Sequence, residues 1–365
     1  MALTETGDAD PAKRLAAVQT VSGSMLGEVR NRLATLVARD ALGTPLEPSL
    51  DVRVAASAAI RDIDARRARY EFIQTLFFGL SLGFVLVLAA TGLAIPFGVM
   101  GVINMAHGAM MMIGAYTTDV VQQALPNHLE HSIFIAIPAA FLVAGAVGIV
   151  IERGIVCFLY GRPLETLLAT FGVSLFLQEV VRSVFSPLNR AVSTPQWMSG
   201  QLLLGDALAL TWNRLYIILF SALVFAALLA LLRFTSLGLQ VRAVSQNRAM
   251  ARAMGVRAGW VDALTFGLGS GVAGLAGVAL SQLTNVGPNR GQCYIIDSFM
   301  VVVFGGVGNL WGTLVAGLSL GIANKFLEPF AGAVLTKILV LVFIILFIQK
   351  WPRGLFPQRG RSAEA

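Results

Sequence analysis

The feature that most constrains this chain is a long run without a single charged residue. No Asp, Glu, Lys or Arg occurs in residues 72–118. A membrane-spanning helix needs about 20 mainly apolar residues, so this run is long enough for two crossings. The hydrocarbon core offers no water to backbone polar groups, and each crossing is therefore predicted to be an α-helix.

Further charge-free runs follow along the chain. They cover residues 131–151, 215–232, 263–289, 298–324 and 338–349, and residues 164–185 are mainly apolar but carry Glu179 and Arg182 near their end. Charged residues make up only 13% of the chain, against about 25% in ordinary soluble proteins. The sequence predicts an all-α, polytopic membrane bundle of about 8–10 membrane elements, some of them broken or re-entrant.

Charge and composition divide the chain into three predicted segments. Residues 1–70 are polar and rich in Ala; apolar positions at helical spacing and the breakers Pro45 and Pro48 predict a small helical hairpin there. Residues 71–358 are the predicted transmembrane domain. Residues 359–365 are predicted to be a flexible basic tail.

Arginines orient the predicted bundle. The longest interior loop carries Arg233, Arg242, Arg248, Arg252 and Arg257. The positive-inside rule places this loop, and the basic residues near the C-terminus, in the cytoplasm. An even number of crossings must then separate residues 263–289 from residues 338–349, so we expect residues 298–324 to break at 305–309. The same parity places the N-terminal segment outside, whereas Arg66, Arg67 and Arg69 favour the inside; both orientations stay open.

Two glycine-rich interruptions lie inside apolar sequence. Residues 97–108 and 304–309 both begin Phe-Gly-x-x-Gly, which indicates either an internal repeat or a chance match in a glycine-rich chain. Broken helices in transporters often face the solute path near the midplane. The candidate path residues are Gly98, Gly101, Asn104, His107, Gly108, Gly305, Gly308 and Asn309.

Asn104 and His107 are three positions apart and share a face if the segment is helical. Asn and neutral His each offer a donor and an acceptor, which suits a small neutral amide or a zwitterion. Bonding between helices or capping of a broken turn is the structural alternative.

The arginine-rich loop has two interpretations. It may be read as an orientation loop in water, or as a short docking helix for a cytoplasmic partner with Met250 and Met254 as adaptable packing residues. The docking hypothesis names Arg242, Asn247, Arg248, Arg252 and Gly255 as candidate coupling residues.

Several chemistries are excluded by missing motifs. The chain has no Gly-Lys pair, and therefore no Gly-x-x-x-x-Gly-Lys-Ser/Thr loop for ATP. It has neither His-Glu-x-x-His nor Cys-x-x-Cys, and its three histidines are scattered. The sequence shows no basic face interleaved with aromatic residues, the pattern that would indicate nucleic-acid binding. We expect no enzyme, no catalytic residue, no metal and no cofactor.

The stretch GLAIPFGVMGVINMAHGAMMMIGAYTT resembles the signature of ABC-importer permeases of the branched-chain amino acid type. Within that family the chain is most similar to the urea permease branch, to the B member of its permease pair. The segments GRPLETLLATFGVSLFLQEVVRSVF and NVGPNRGQCYIIDSFMVVVFGGVGNLWGT resemble the same branch. The resemblance covers residues 72–358.

The resemblance implies a multi-pass subunit of the bacterial inner membrane that forms a urea path. Its implied partners are a second homologous permease, two cytoplasmic ATPase subunits, a periplasmic solute-binding protein and the lipid bilayer. A permease for branched-chain amino acids or short amides is the alternative within the class. A stand-alone urea or water channel is the alternative outside it, although the paired Asn-Pro-Ala motifs of aquaporins are missing.

Overall fold

The computed structural model describes Thr4, Thr6, Asp8 and residues 10–40, 44–204 and 208–356. The predicted tail, residues 359–365, lies outside these residues. Contacts divide the chain into two compact units. The first comprises Met1–Phe77 with Gln201–Thr211, and the second comprises Phe78–Gly200 with Trp212–Ala365.

The first unit is helical, with one small hairpin. Helix α1 (Pro11–Val21) begins where the Asp10 side chain accepts from the Ala12 amide at 2.9 Å. Helix α2 (Gly27–Val37) follows, and the first part of α3 (Leu50–Met100) is the third helix of this unit. The first arm of the predicted hairpin is therefore two helices, interrupted at residues 22–26. Val18, Leu33 and Ile63 pack in the core of this unit. Strands β1 (Gln201–Leu204) and β2 (Leu208–Thr211) pair antiparallel.

The second unit contains the rest of α3 and all later helices in the described part of the chain. They are α4 (His107–Ala124), α5 (Leu129–Gly154), α6 (Pro163–Phe185), α7 (Trp212–Phe234), α8 (Ser236–Gln246), α9 (Arg248–Ala253), α10 (Ala258–Ser281), α11 (Arg290–Gly305) and α12 (Leu310–Lys350). Six helical segments are long and apolar enough to cross a membrane: those containing α3, α5, α6, α7, α10 and α12. The predicted all-α, multi-pass fold is confirmed.

Helix α12 folds back on itself. Gly332 has a non-helical backbone (φ 75°, ψ 163°). A straight helix of this length would extend about 60 Å, yet both ends of α12 meet the end of α11. Gly312 abuts Gly305 near the start, and the Phe347 ring lies 4.7 Å from the Phe304 ring near the end. The chain therefore turns at Gly332.

Helix α10 is the centre of the bundle. It packs against α4 and α5, and nearly all of its residues are buried. The helical spacing of Gly267, Gly271, Gly274 and Gly277 in the sequence predicts a contact stripe, and the structure confirms it, because a Cβ at any of these positions would meet a neighbouring helix at short range. At Gly274, for example, it would lie 2.6 Å from the Ala140 carbonyl oxygen. Glycine lets these backbones touch.

The two ends of the second unit carry different polar segments. At one end, α8 borders a cavity together with Gly308 and Asn309, and the Asn309 side chain donates to the Phe356 carbonyl at 3.3 Å. The arginine-rich loop and residues 351–356 therefore lie at the same end, as the charge pattern predicts. At the other end Arg190 pairs with Asp119 at 2.9 Å and bridges to Val286.

Candidate solute path and coupling surface

The first break, residues 101–106, separates α3 from α4. Gly101 has a positive φ of 69°, and the chain turns back beside α3. His107 Nε2 then lies 2.8 Å from the carbonyl oxygen of Ala89. Ala89 precedes Met100 by about 16 Å of helix, so α4 begins deep inside the bundle. Gly101 provides the turn that this return requires.

Side chains satisfy the backbone of the first break. Asn104 is 2% exposed, and its Oδ1 accepts from the Ala106 amide at 3.0 Å. The Met105 amide donates to Thr170 Oγ1 of α6 at 3.1 Å. Sequence reasoning missed Thr170, although polar residues recur every four positions along α6, at Thr166, Thr170, Ser174 and Gln178, and this spacing is a usable signal. Asn104 therefore has a structural role in addition to any contact with solute.

A cavity of about 210 Å³ lies beside Asn104. Asn104 is the polar residue of its lining; the others are Leu93, Ile103, Met105, Leu167, Ile295, Ile296 and Phe299. An apolar wall with one amide can orient a small polar solute without binding it tightly.

The second break, residues 306–309, joins α11 to α12. Gly306 and Gly308 have positive φ values of 101° and 81°. Asn309 caps α12, since its Oδ1 accepts from the amides of Trp311 and Gly312 at 3.1 and 3.3 Å. The amides of Leu355 and Phe356 donate to the carbonyls of Phe304 and Gly305 at 2.9 and 3.2 Å. Main chain from residues 355–356 thus satisfies the end of α11.

The structure brings part of the predicted path together. A Cβ on Gly98 would lie 2.7 Å from the Gly308 Cα, so the end of α3 touches the second break. Gly98, Gly308 and Asn309 border a cavity of about 480 Å³, which Arg242 and Arg233 also line. Gly101 borders neither cavity.

The remaining predicted path residues are packed elsewhere. His107 is 1% exposed and lines neither cavity. Gly108 abuts Gly291 at the start of α11, and Gly305 abuts Gly312. The eight predicted residues therefore do not form a single site: Gly98, Gly308 and Asn309 border the larger cavity, Asn104 borders the smaller one, and the other four border neither.

The predicted coupling segment folds as α8 and α9. Asn247 caps α9 by accepting from the Met250 amide at 2.9 Å, and Gly255 ends the segment with φ +86° and open space around it. Met250 and Met254 are 61% and 78% exposed. Arg252 is also exposed, whereas Arg242 donates to the Leu232 carbonyl at the end of α7.

Arg248 turns away from this exposed surface. Its Nη2 donates to Oδ2 of Asp262, a residue of α10 whose side chain is fully buried. The sequence alone predicted Arg248 to be a docking residue, because a charge near a helix end is usually exposed. Its partner Asp262 lies beyond the end of α9, near the start of α10.

Other buried charges were also missed by sequence reasoning. Glu152 of α5 is 1% exposed and accepts from the Tyr160 hydroxyl. Asp297 of α11 is also buried, and it pairs at 3.0 Å with Lys337 of α12, whose side chain is exposed. Among the described residues, no group of three or more His, Cys, Asp or Glu side chains could hold a metal ion.

Apolar spanning helices, interrupted at glycine-rich breaks that border cavities, define a multi-pass membrane protein of the permease class. The chain belongs to the family described as the permease component of the branched-chain amino acid transport system, whose model matches residues 75–348. It is therefore a transport component rather than an enzyme.

Individual relatives agree with this family. The high-affinity branched-chain amino acid permease LivH of Escherichia coli K12 is 30% identical, over 78% of this chain and 95% of its own length. BraD of Pseudomonas aeruginosa is 29% identical over 78% and 96%. The ribose import permease RbsC of Escherichia coli K12 is 25% identical over 73% and 79%. No solved structure matches the chain significantly.

Proposed function

We propose that this chain is one permease subunit of an ABC importer, and that it forms a path for urea with a second, homologous permease. Two cytoplasmic ATPases supply the energy, and a periplasmic binding protein delivers the solute. The path lies along the first break, and the ATPases contact the α8–α9 segment.

The close contact between the end of α3 and the second break is the observation that carries this proposal. Gly98 of α3 touches Gly308 directly beside α8, so a movement of α8 can alter the position of α3 just before the first break. Asn104 is the polar residue in the lining of the smaller cavity, and its side chain carries no charge. A neutral solute such as urea needs donors and acceptors but no fixed charge, because a desolvated charge costs several kcal/mol.

The urea assignment is supported by the resemblance of residues 72–358 to the urea branch. The apolar wall around Asn104 favours a second candidate, import of branched-chain amino acids, because Leu93, Phe299 and their neighbours would suit an aliphatic side chain. The names of LivH and BraD point to the same candidate.

Uptake by the assembled complex separates these candidates. The complex in proteoliposomes, supplied with its binding protein, is given labelled urea or labelled leucine, with ATP or with a non-hydrolysable analogue. ATP-dependent urea uptake supports the proposal, and ATP-dependent leucine uptake supports the second candidate. Urea flux that is equal with ATP and with the analogue would identify a channel and overturn both.

A further inference from the structure

Four side chains near the start of α10 form a polar cluster, in which two carboxylates are buried and their tyrosine and arginine partners are half-buried. Glu152 of α5, Tyr160 of the loop before α6, Arg248 of α9 and Asp262 of α10 are its members. Tyr160 donates to Glu152, and Arg248 donates to Asp262. The Arg248 guanidinium also lies 4.6 Å from the centre of the Tyr160 ring, a cation–π distance. The polar cluster therefore joins three helices and a loop.

The polar cluster is costly for the fold. The Glu152 and Asp262 side chains are 1% and 0% exposed, and among the described residues Glu152 Oε2 and Asp262 Oδ1 have no hydrogen-bond partner. Arg153 Nε lies 3.7 Å from Glu152 Oε2, beyond hydrogen-bonding distance. Apolar residues of similar size are often as stable as a buried ion pair or more so. Stability alone therefore gives little reason for this arrangement.

The polar cluster reaches the first break. The Tyr160 hydroxyl lies 3.4 Å from the sulfur of Met100, the last residue of α3. Val99, next to it, packs against a hydrophobic cluster that includes Val241 of α8 and Val261 of α10. Burial, together with the hydrogen bond to Glu152, raises the pKa of the Tyr160 phenol, which keeps this group a donor. One side of the polar cluster thus touches α9, and the other touches the residue at which α3 ends.

We propose that Glu152, Tyr160, Arg248 and Asp262 are positioning residues that transmit movement of α8–α9 to the end of α3, and so to the first break. The inference rests on the proposed function, since it assumes that the ATPases contact α8–α9. Arg248 acts inward, on Asp262 and Tyr160. The exposed residues Arg252, Met250 and Met254 form the surface for the ATPase.

A transmitting role and a purely structural role predict different losses. A structural role predicts that the variants yield less assembled complex, while each assembled complex keeps normal solute uptake per ATP. A transmitting role predicts assembled complexes that hydrolyse ATP but no longer link hydrolysis to transport. Coupling between sites commonly changes rates or affinities about 5- to 150-fold.

The test uses the whole complex in proteoliposomes and compares Tyr160→Phe with Tyr116→Phe. Both changes remove one buried hydroxyl, and the Tyr116 hydroxyl has no hydrogen-bond partner among the described residues. ATP hydrolysis is measured with and without solute-loaded binding protein, and solute uptake is measured per ATP. We expect Tyr160→Phe to lower uptake per ATP at least about fivefold at normal assembly, and Tyr116→Phe to match wild type.

A second set of variants tests the same linkage in case the Tyr160→Phe complex does not assemble. Asp262→Asn should reproduce the loss, Asp262→Glu should restore part of it, and the exchange of Arg248→Asp with Asp262→Arg should recover more uptake per ATP than either single change. Equal values for Tyr160→Phe and Tyr116→Phe, in complexes whose wild type is active, overturn the linkage alone. A wild-type complex without ATP-dependent uptake overturns the proposed function, and the linkage with it.

Discussion

The two breaks share a sequence signature but are built differently. In the first, Asn104 and Thr170 hold the backbone with their side chains, and α4 begins beside Ala89, inside the bundle. In the second, the end of α11 is held by main chain from residues 355–356, and Asn309 caps the next helix at the end of the bundle.

This difference teaches that Phe-Gly-x-x-Gly marks where a helix stops, but not how deep it stops or what replaces the missing hydrogen bonds. Glycine permits the turn in both places. The satisfying groups come from wherever the fold places them. The first break is therefore held by interior side chains, and the second by main chain from far along the sequence.

The largest effect is expected from Gly108→Val, at the start of α4 directly after the first break. A Cβ at residue 108 would lie 2.7 Å from the carbonyl carbon of Gly291, and backbone cannot yield as a side chain can. Overpacking of this kind costs about 3 kcal/mol. Thermal unfolding of the purified protein in detergent measures the loss. The control is Gly172→Ala, where a Cβ meets nothing within 4 Å; equal stability losses would contradict the close contact.

Truncation after Arg353 attacks the second break. It removes the amides of Leu355 and Phe356 that bond the carbonyls of Phe304 and Gly305. Unsatisfied groups of this kind cost about 1–3 kcal/mol each when buried, and we expect a stability loss of about 2 kcal/mol in total. Truncation after Phe356 keeps both donors and is the control. If the two truncated proteins unfold at the same temperature, residues 355–356 do not hold α11.

Substitution of the two asparagines should separate transport from stability. Asn309→Ala removes a helix cap and should cost about 1 kcal/mol of stability, with uptake per complex little changed. Asn104→Leu should slow uptake about tenfold or more per assembled complex. Asn104→Ser keeps an oxygen for the Ala106 amide, so it should regain stability while uptake stays slow. Full uptake by Asn104→Leu would exclude the first break as the path.

Thr170→Val should have the smallest effect. It keeps the shape of the side chain but removes the oxygen that accepts from the Met105 amide. We expect a loss of about 0.5 kcal/mol, together with faster hydrogen exchange of the Met105 amide. Thr117→Val serves as the control, because the Thr117 hydroxyl bonds only within its own helix, to Ile113. Identical exchange in both variants would show that Thr170 does not hold the break.

Local signals carried most of the fold. Residues without charge, glycine spacing and arginine position each act within a few turns of helix, and they predicted the spans, the stripe on α10 and the break at residues 305–309. The turn at Gly332 falls within residues 325–337, the charged interval between the last two charge-free runs, but the sequence did not single out this glycine as the turning point. The interruption of the first N-terminal helix at residues 22–26 escaped because its apolar spacing continues on both sides.

The candidate site was less predictable, because its partners are distant in sequence. Nothing near Arg248 shows that its carboxylate partner is Asp262, and Lys337 finds Asp297 on another helix. His107 illustrates the converse: its residue type suggested solute binding, but its depth places it on the Ala89 carbonyl. How deep a side chain lies and which partner it pairs with follow from tertiary packing, which a short stretch of sequence does not indicate.

The glycine-rich centre of α10 also has a consequence for biosynthesis. Helix α10 is markedly less apolar than α7 or α12, although it is the most deeply enclosed of the candidate spans. A nascent segment partitions from the translocon into lipid according to its own apolar content. We therefore expect α10 to insert weakly by itself. We expect its stable insertion to depend on packing against α4 and α5, which are synthesised earlier. Changes that delay those two helices should therefore appear as misinsertion of α10, far along the chain from the altered residue.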